Sequence, residues 1–343
     1  MACQDPGIAV ERLSAVACSV LQRPDLLTAR HALHQTDCIW TEKNCYADLW
    51  IELIHAFGHE PLAMLPFVVT ADFEGDQWTF FKPSHDDIRR LYGLKVHELT
   101  VWRPLHAHLQ EHLAAGRLVS IEVDAFWLPD TAATDYRQKH TKTTVAFNHV
   151  DVAAPKVGYF HNAGYFEAEG EDARQLLQLD PRPPGHLPLF AELVSRVGPA
   201  VAEADLRAHS LALMRKQLDW LPASNPITRF AQRLAADLPT LQAEGMAHYH
   251  VWAFAGVRQW GAAHELAAAW TAWMGDALGP ERHAAEAAFR QLSLDAKTLI
   301  LKGARTVVTR KPFDAVAQLA ASAVLWDQAT AALRSACGPR SAG

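Results

Sequence analysis

The chain has 343 residues, 50% of them apolar and 20% charged, with 38 acidic against 32 basic side chains and a formal net charge of −6. A nucleic-acid binder would carry a basic footprint, which this balance lacks. No apolar run approaches the ~20 residues of a membrane helix, and the length suits about two domains.

The first 22 residues, "MACQDPGIAVERLSAVACSVLQ", place Asp5 and Glu11 where a signal peptide would be basic, so a cytoplasmic protein is expected. The five cysteines, at 3, 18, 38, 45 and 337, lack framework spacing and read as free thiols. Residues 1–30 read as an N-terminal helical extension with a restart at "RPDLLTAR". Asn44 to Phe57 reads as a helix, with Leu49, Leu53, Ile54 and Phe57 on one side. "FVVTADFEGDQWTFF" reads as two strands around a turn at Glu74-Gly75-Asp76. Short helices follow at "SHDDIRRLYG" and "PLHAHLQEHLAAG", ended by Gly93 and Gly116.

"RLVSIEVDAFWLP" is a strand, followed by a polar loop to His140. "KTTVAFNHVD" and "KVGYFHN" form a hairpin around Ala154-Pro155, since β-branched and aromatic residues fill both arms. The Pro- and Gly-rich "LDPRPPGHLP" puts a domain boundary near 183. From 184 to 343 Ala and Leu dominate, and helices are expected from Leu189, Ala202, Pro226, Met246, Pro280 and near Phe313. The expected fold class is therefore α+β over 31–183, followed by an all-helical C-terminal domain.

Dinucleotide, P-loop and serine-elbow motifs are absent. His97-Glu98 and His264-Glu265 begin like H-E-x-x-H, but Val101 and Ala268 stand where the second histidine is needed. Asp72, Glu74 and Asp76 read better as a solvated hairpin tip than as a metal site, and His248-x-His250 as a helix start.

The stronger constellation is Cys45 with His140. Asn44 is a good N-cap, which puts Cys45 at the first helical position, where the positive helix end stabilises a thiolate. His140 closes a loop and opens a strand, a place from which an imidazole can face a cleft. A third group must orient that ring, and Asn162 or His161, on the facing arm, is the candidate. On residue types alone, Cys45 as a small buried hydrophobe competes with this reading.

"NCYADLWIELIHAFG", "AAGRLVSIEVDAFWLPD" and "HTKTTVAFNHVD…KVGYFHNAGY" together resemble the signature blocks of the butirosin-biosynthesis acyltransferase family. That family is similar to papain-like and C39-type cysteine peptidases. "NCYADLWIELIHAFG" and "DFEGDQWTFFKP" also look like an uncharacterised bacterial domain-of-unknown-function family. The resemblance covers residues 30–180 and implies a papain-like N-terminal domain, a helix on an antiparallel sheet.

It implies Cys45 as nucleophile, His140 as base and Asn162 or His161 as the orienting residue. Asp124, before Leu-Pro, would support the cleft or contact an amine, and as a plain strand-end turn residue it fits equally. The Cys45 N–H is one oxyanion donor, with Asn44 and Gln35 unranked for the second. The implied reaction moves an acyl or aminoacyl group from a carrier-protein thioester to a small amine. No cofactor is implied beyond the phosphopantetheine on that carrier. Arg89-Arg90, "RKQLDW" and "LKGARTVVTRK" are candidate docking patches for an acidic carrier. Trp252, Phe254, Trp260, Trp270 and Trp273 are candidates for the acceptor pocket. A hydrolase on the same triad and an inactive binding relative are the alternatives.

Overall fold

The computed structural model describes residues 17–338, apart from 23, 24, 26, 28, 36, 37, 181–184 and 186. In chain order the strands are β1 Cys18–Ser19, β2 Phe73–Glu74, β3 Gln77–Trp78, β4 Leu94–Glu98, β5 Leu118–Asp124, β6 Lys142–Asp151, β7 Lys156–His161, β8 Gly164–Glu169 and β9 Ala191–Arg196. The α-helices, likewise, are α1 Cys45–Ala56, α2 His85–Tyr92, α3 Leu105–Ala114, α4 Gly170–Leu176, α5 Glu203–Leu218, α6 Pro226–Glu244, α7 Met246–Ala255, α8 Val257–Met274, α9 Arg282–Thr309 and α10 Ala315–Cys337.

The main sheet has the order β4-β9-β5-β6-β7-β8, with β1 added against the far end of β6, and every pairing in it is antiparallel. Helix α1 packs across β6, β7 and β8. It is apolar on almost every side, burying Leu49, Trp50, Ile51, Leu53 and Ile54, as a helix enclosed in a core must be. The architecture is thus α+β: an antiparallel sheet with helices, then a helical region.

Three elements differ from expectation. Of the expected N-terminal helix, residues 1–16 lie outside the described residues, and Cys18–Ser19 are a strand pairing with Val150 and His149. "FVVT" is the end of a 3₁₀ stretch, Pro61–Thr70, and not a strand. Pro61 and Pro66 cannot donate to a ladder, and the stretch packs against α5 and α8 instead. Leu189 starts no helix: Ala191–Arg196 is β9, held between β4 and β5. Pairing on both edges decides the conformation of this short run. The last strand of the sheet domain accordingly ends at Arg196.

The helical region shares one buried core with the sheet domain. Trp78 stacks on Trp260 with centroids 5.8 Å apart, and Phe73 meets Phe230 at 5.3 Å. Trp40 Nε1 donates to Ser293 Oγ at 2.9 Å, and a Cβ at Gly261 would lie 2.2 Å from the Trp40 ring. That close approach requires glycine.

Candidate functional site

Asn44 caps α1 as its residue type predicts. Its Oδ1 accepts from the Tyr46 and Ala47 N–H groups, and its Nδ2 donates to Phe81 O (2.7 Å) and Gln259 Oε1 (3.3 Å). Asp48 Oδ2 accepts from the Lys43 N–H (2.6 Å) and the Asn44 N–H (3.0 Å). In this run from Lys43 to Ala47, the Cys45 N–H alone has no acceptor among the described residues. The Asn44 amide is spent on the cap and its contacts. The exposed Gln35 closes the 3₁₀ turn Ala32–His34 through its backbone N–H.

The approach to Cys45 is fixed by buried charge. His34 Nε2 donates to Asp48 Oδ1 at 2.9 Å, and Nδ1 donates to Glu52. Both nitrogens face carboxylates, so the ring is an imidazolium. Burial opposes that charge, but Asp48 and Glu52 outweigh it and raise the His34 pKa. Burial also opposes the Asp48 anion, yet His34 and Lys43 hold its carboxyl below the ordinary value. The buried Lys43 Nζ donates to Leu33 O (2.5 Å) and Trp40 O (3.0 Å). His34, Lys43 and Asn44 are thereby pinned to the helix they introduce.

The helical region reaches this point through the first turn of α8. Gln259 holds the Asn44 amide, and the guanidinium of Arg258 lies in the field of Asp48, Glu42 and Cys45. Burial lowers the Arg258 pKa, and the nearby Asp48 and Glu42 carboxylates act against it. Arg258 Nε is buried without a hydrogen-bond partner among the described residues, and the guanidinium packs 3.5 Å from the Phe254 ring centroid.

The sheet supplies the second part. His140 Nδ1 donates to Asp124 Oδ2 at 2.5 Å, and Asp124 Oδ1 accepts from the Phe126 N–H at 3.1 Å. A carboxylate only accepts, so the proton is on Nδ1 and a neutral ring presents a bare Nε2. Phe126 stacks on the imidazole with centroids 4.6 Å apart. The His140 side chain as a whole is 72% exposed.

Register decides which groups share a face. Glu192 pairs with Ser120, Ser120 with Ala146 and Ala146 with Phe160. Tyr46, in the first turn of α1, donates its hydroxyl to Glu192 Oε2 at 2.8 Å, so α1 begins over that row. Side chains alternate along a strand, and Asp124 is four residues beyond Ser120. It therefore faces the same side, about 13 Å along β5. His161 pairs with Val145, one residue out of phase, and faces the opposite side. Its Nδ1 donates to Asp130 Oδ2 (2.5 Å) and its Nε2 meets Thr143 Oγ1 (2.8 Å). Both of its ring nitrogens are occupied in a buried network. Asn162 lies in the two-residue loop between β7 and β8 with φ 43°, a left-handed position that asparagine tolerates.

The structure thus brings Asp124 to His140, and Asn44 and Arg258 to Cys45, but no hydrogen bond joins Cys45 to His140 among the described residues. The acceptor for the His140 ring N–H is Asp124, not a residue of the facing arm of the hairpin. Of the aromatic run proposed for a pocket, Trp260 and Trp270 are fully buried in the core. Trp270 Nε1 donates to Ser210 Oγ at 2.8 Å, and neither ring is free to line a pocket. Asp72, at the hairpin tip, is bound to Arg229.

Comparison with known families matches residues 29–196 to the DUF1839 N-terminal domain and residues 203–335 to the DUF1839 C-terminal domain. The chain belongs to the DUF1839 family. The junction between the two DUF1839 matches falls just after β9, where the sheet ends. No curated protein matches the chain. Within this DUF1839 protein, Arg258 and Gln259 escaped the sequence reading because they are more than 200 residues from Cys45 and no local pattern marks them.

Proposed function

We propose that this chain is a cysteine-dependent acyltransferase whose sheet domain is papain-like. In this reading the Cys45 thiolate attacks the carbonyl of an acyl or aminoacyl thioester, and the carrier's thiolate leaves with the electron pair of the broken C–S bond. The unshared Cys45 N–H receives the oxyanion. An amine then attacks the acyl-enzyme carbonyl while His140 Nε2 takes its proton. The C–S bond breaks, and Cys45 is regenerated. Asp124 holds the imidazole in the tautomer this requires. Arg258 favours negative charge at Sγ.

The observation that carries the reading is the Asp124–His140 pair, on the sheet face over which α1 begins with Cys45. Its carbonyl chemistry needs a nucleophile, a base with a bare nitrogen and an oriented partner, the roles this reading gives to Cys45, His140 and Asp124. Thioester donors suit it, because thiol-for-thiol exchange is nearly balanced and amide formation runs downhill. The exposed stretch with Leu301, Lys302, Arg305, Val308 and Lys311 offers an acidic carrier both charge and apolar contact.

One observation favours a second reading, hydrolysis. The His140 side chain is open to solvent, so the base has water beside it to activate in place of an amine unless substrate excludes it. The test is product analysis with loaded carrier proteins and a panel of amines. Amide formation lost in both Cys45→Ala and His140→Ala supports transfer. Free acid as the sole product, at any amine concentration, supports the hydrolase. Turnover retained in Cys45→Ala refutes both.

A further inference from the structure

A groove of about 290 Å³ adjoins His140, walled by Glu122, Val123, Asp124, Thr141, Lys142 and Leu189. Its lining is mostly apolar. Lys142 Nζ is tied to Glu122 Oε1 at 2.5 Å, so the two charges cancel, and the lysine's aliphatic stem is available as wall. Leu189 belongs to the extended stretch that enters β9.

The position of the groove on the imidazole decides what it can hold. Asp124 occupies Nδ1 and Phe126 covers one face of the ring. What remains is the Nε2 edge and the other face, beside the groove. A base must come within roughly 2.6–3.2 Å of the atom it deprotonates. An acceptor served by His140 therefore has its nitrogen at the ring and its body in the groove.

We infer that this groove is the acceptor site, that it takes a small primary amine with a compact apolar body, and that Leu189 sets the size limit. This deepens the acyltransferase reading and rests on it. At ~30 Å³ per water-sized group, the space holds on the order of ten non-hydrogen atoms. A mostly apolar surface, with Lys142 and Glu122 paired to each other, compensates poorly for desolvating the many hydroxyls of an amino sugar. In the step itself, the amine nitrogen bonds to the acyl carbon and His140 Nε2 accepts the N–H proton. The carbon–sulfur bond breaks, and the thiolate departs with the electron pair.

The test separates the two half-reactions. Full-length enzyme is acylated with an acyl-loaded carrier protein, and adduct formation is followed by intact mass. The acyl-enzyme is then chased with butylamine, phenethylamine or glucosamine. For wild type, butylamine should exceed glucosamine by about tenfold or more in the second-order chase rate. Leu189→Trp, which fills the groove, should slow the butylamine chase about tenfold while changing acylation far less. Leu189→Ala should shift preference toward phenethylamine by several-fold. A normal acyl-enzyme whose chase rates are unchanged in both variants overturns the inference alone, as does a wild type that prefers glucosamine. If no carrier acylates Cys45, the acyltransferase reading falls and the inference falls with it.

Discussion

Asp48→Ala tests whether the buried charge cluster holds the segment that introduces Cys45. Asp48 accepts from the Lys43 N–H, the Asn44 N–H and the His34 ring. Its side chain and that of His34 are both wholly buried. Removing the carboxylate strands two backbone donors and leaves the His34 imidazolium with Glu52 alone. A broken buried pair costs about 3–5 kcal/mol, and each orphaned donor adds ~1–3 kcal/mol, less whatever entering water relieves. Taking ~4 kcal/mol, and ~2–4 °C per kcal/mol for domains of 150–250 residues, the melting temperature should fall by about 8–16 °C. Thermal unfolding followed by circular dichroism at constant pH measures it. A shift below about 2 °C would refute the reasoning, because a cluster so cheaply lost could not be what pins His34, Lys43 and Asn44.

Other outcomes follow from the same geometry. The pKa of His34 is raised on folding, so its contribution is complete below its unfolded value of 6.5 and lost as pH rises through the folded value. For Asp48 the shift is downward, so its contribution is present above 3.8 and lost as pH falls through the folded value. His59, His106 and His264 shift downward through burial and act in the opposite sense to His34. The difference between wild type and His34→Gln isolates the first effect: the variant should be less destabilised than wild type on raising pH above 6.5. Parallel melting curves across that range would contradict it. Asp124→Asn should lower amide formation by about 10²-fold, and Asn162→Ala, away from the His140 hydrogen bond, should cost far less; equal losses would reassign the orienting role. Arg258→Met should reduce the ratio of Cys45 alkylation by iodoacetate to that by iodoacetamide by about fivefold, from ~1 kcal/mol for one nearby charge in water-like surroundings. An unchanged ratio, read by peptide mass at Cys45, would remove Arg258 from the site.

Local signals made half of the site legible. Asn44 before an amphipathic run announced a capped helix, and with it the placement of Cys45. β-Branched and aromatic runs announced β6 and β7, and with them His140 at a strand entrance. What local signals lack is register. Whether His161 or Asp124 shares a face with Cys45 depends on which residue opposes which across three strands, and one step of slip exchanges the two faces. Asp124 looked like a strand-end turn residue because it is one: it caps the 3₁₀ turn Ala125–Trp127 with one oxygen while holding His140 with the other. β9 was hidden because "AELVSR" suits a helix locally, and only its two neighbouring strands make it extended. Trp260 and Trp270 drew attention as a possible pocket lining, yet their helical spacing serves the core against Trp78 and Ser210.

The most direct measurement is the mass of the enzyme a few turnovers after mixing with an acyl-loaded carrier protein, followed by peptide mapping of the adduct. The account predicts an increase equal to one acyl group, on Cys45, absent in Cys45→Ala and discharged on adding an amine with formation of its amide. An adduct on any other cysteine, or amide formed at the wild-type rate by Cys45→Ala, would contradict it.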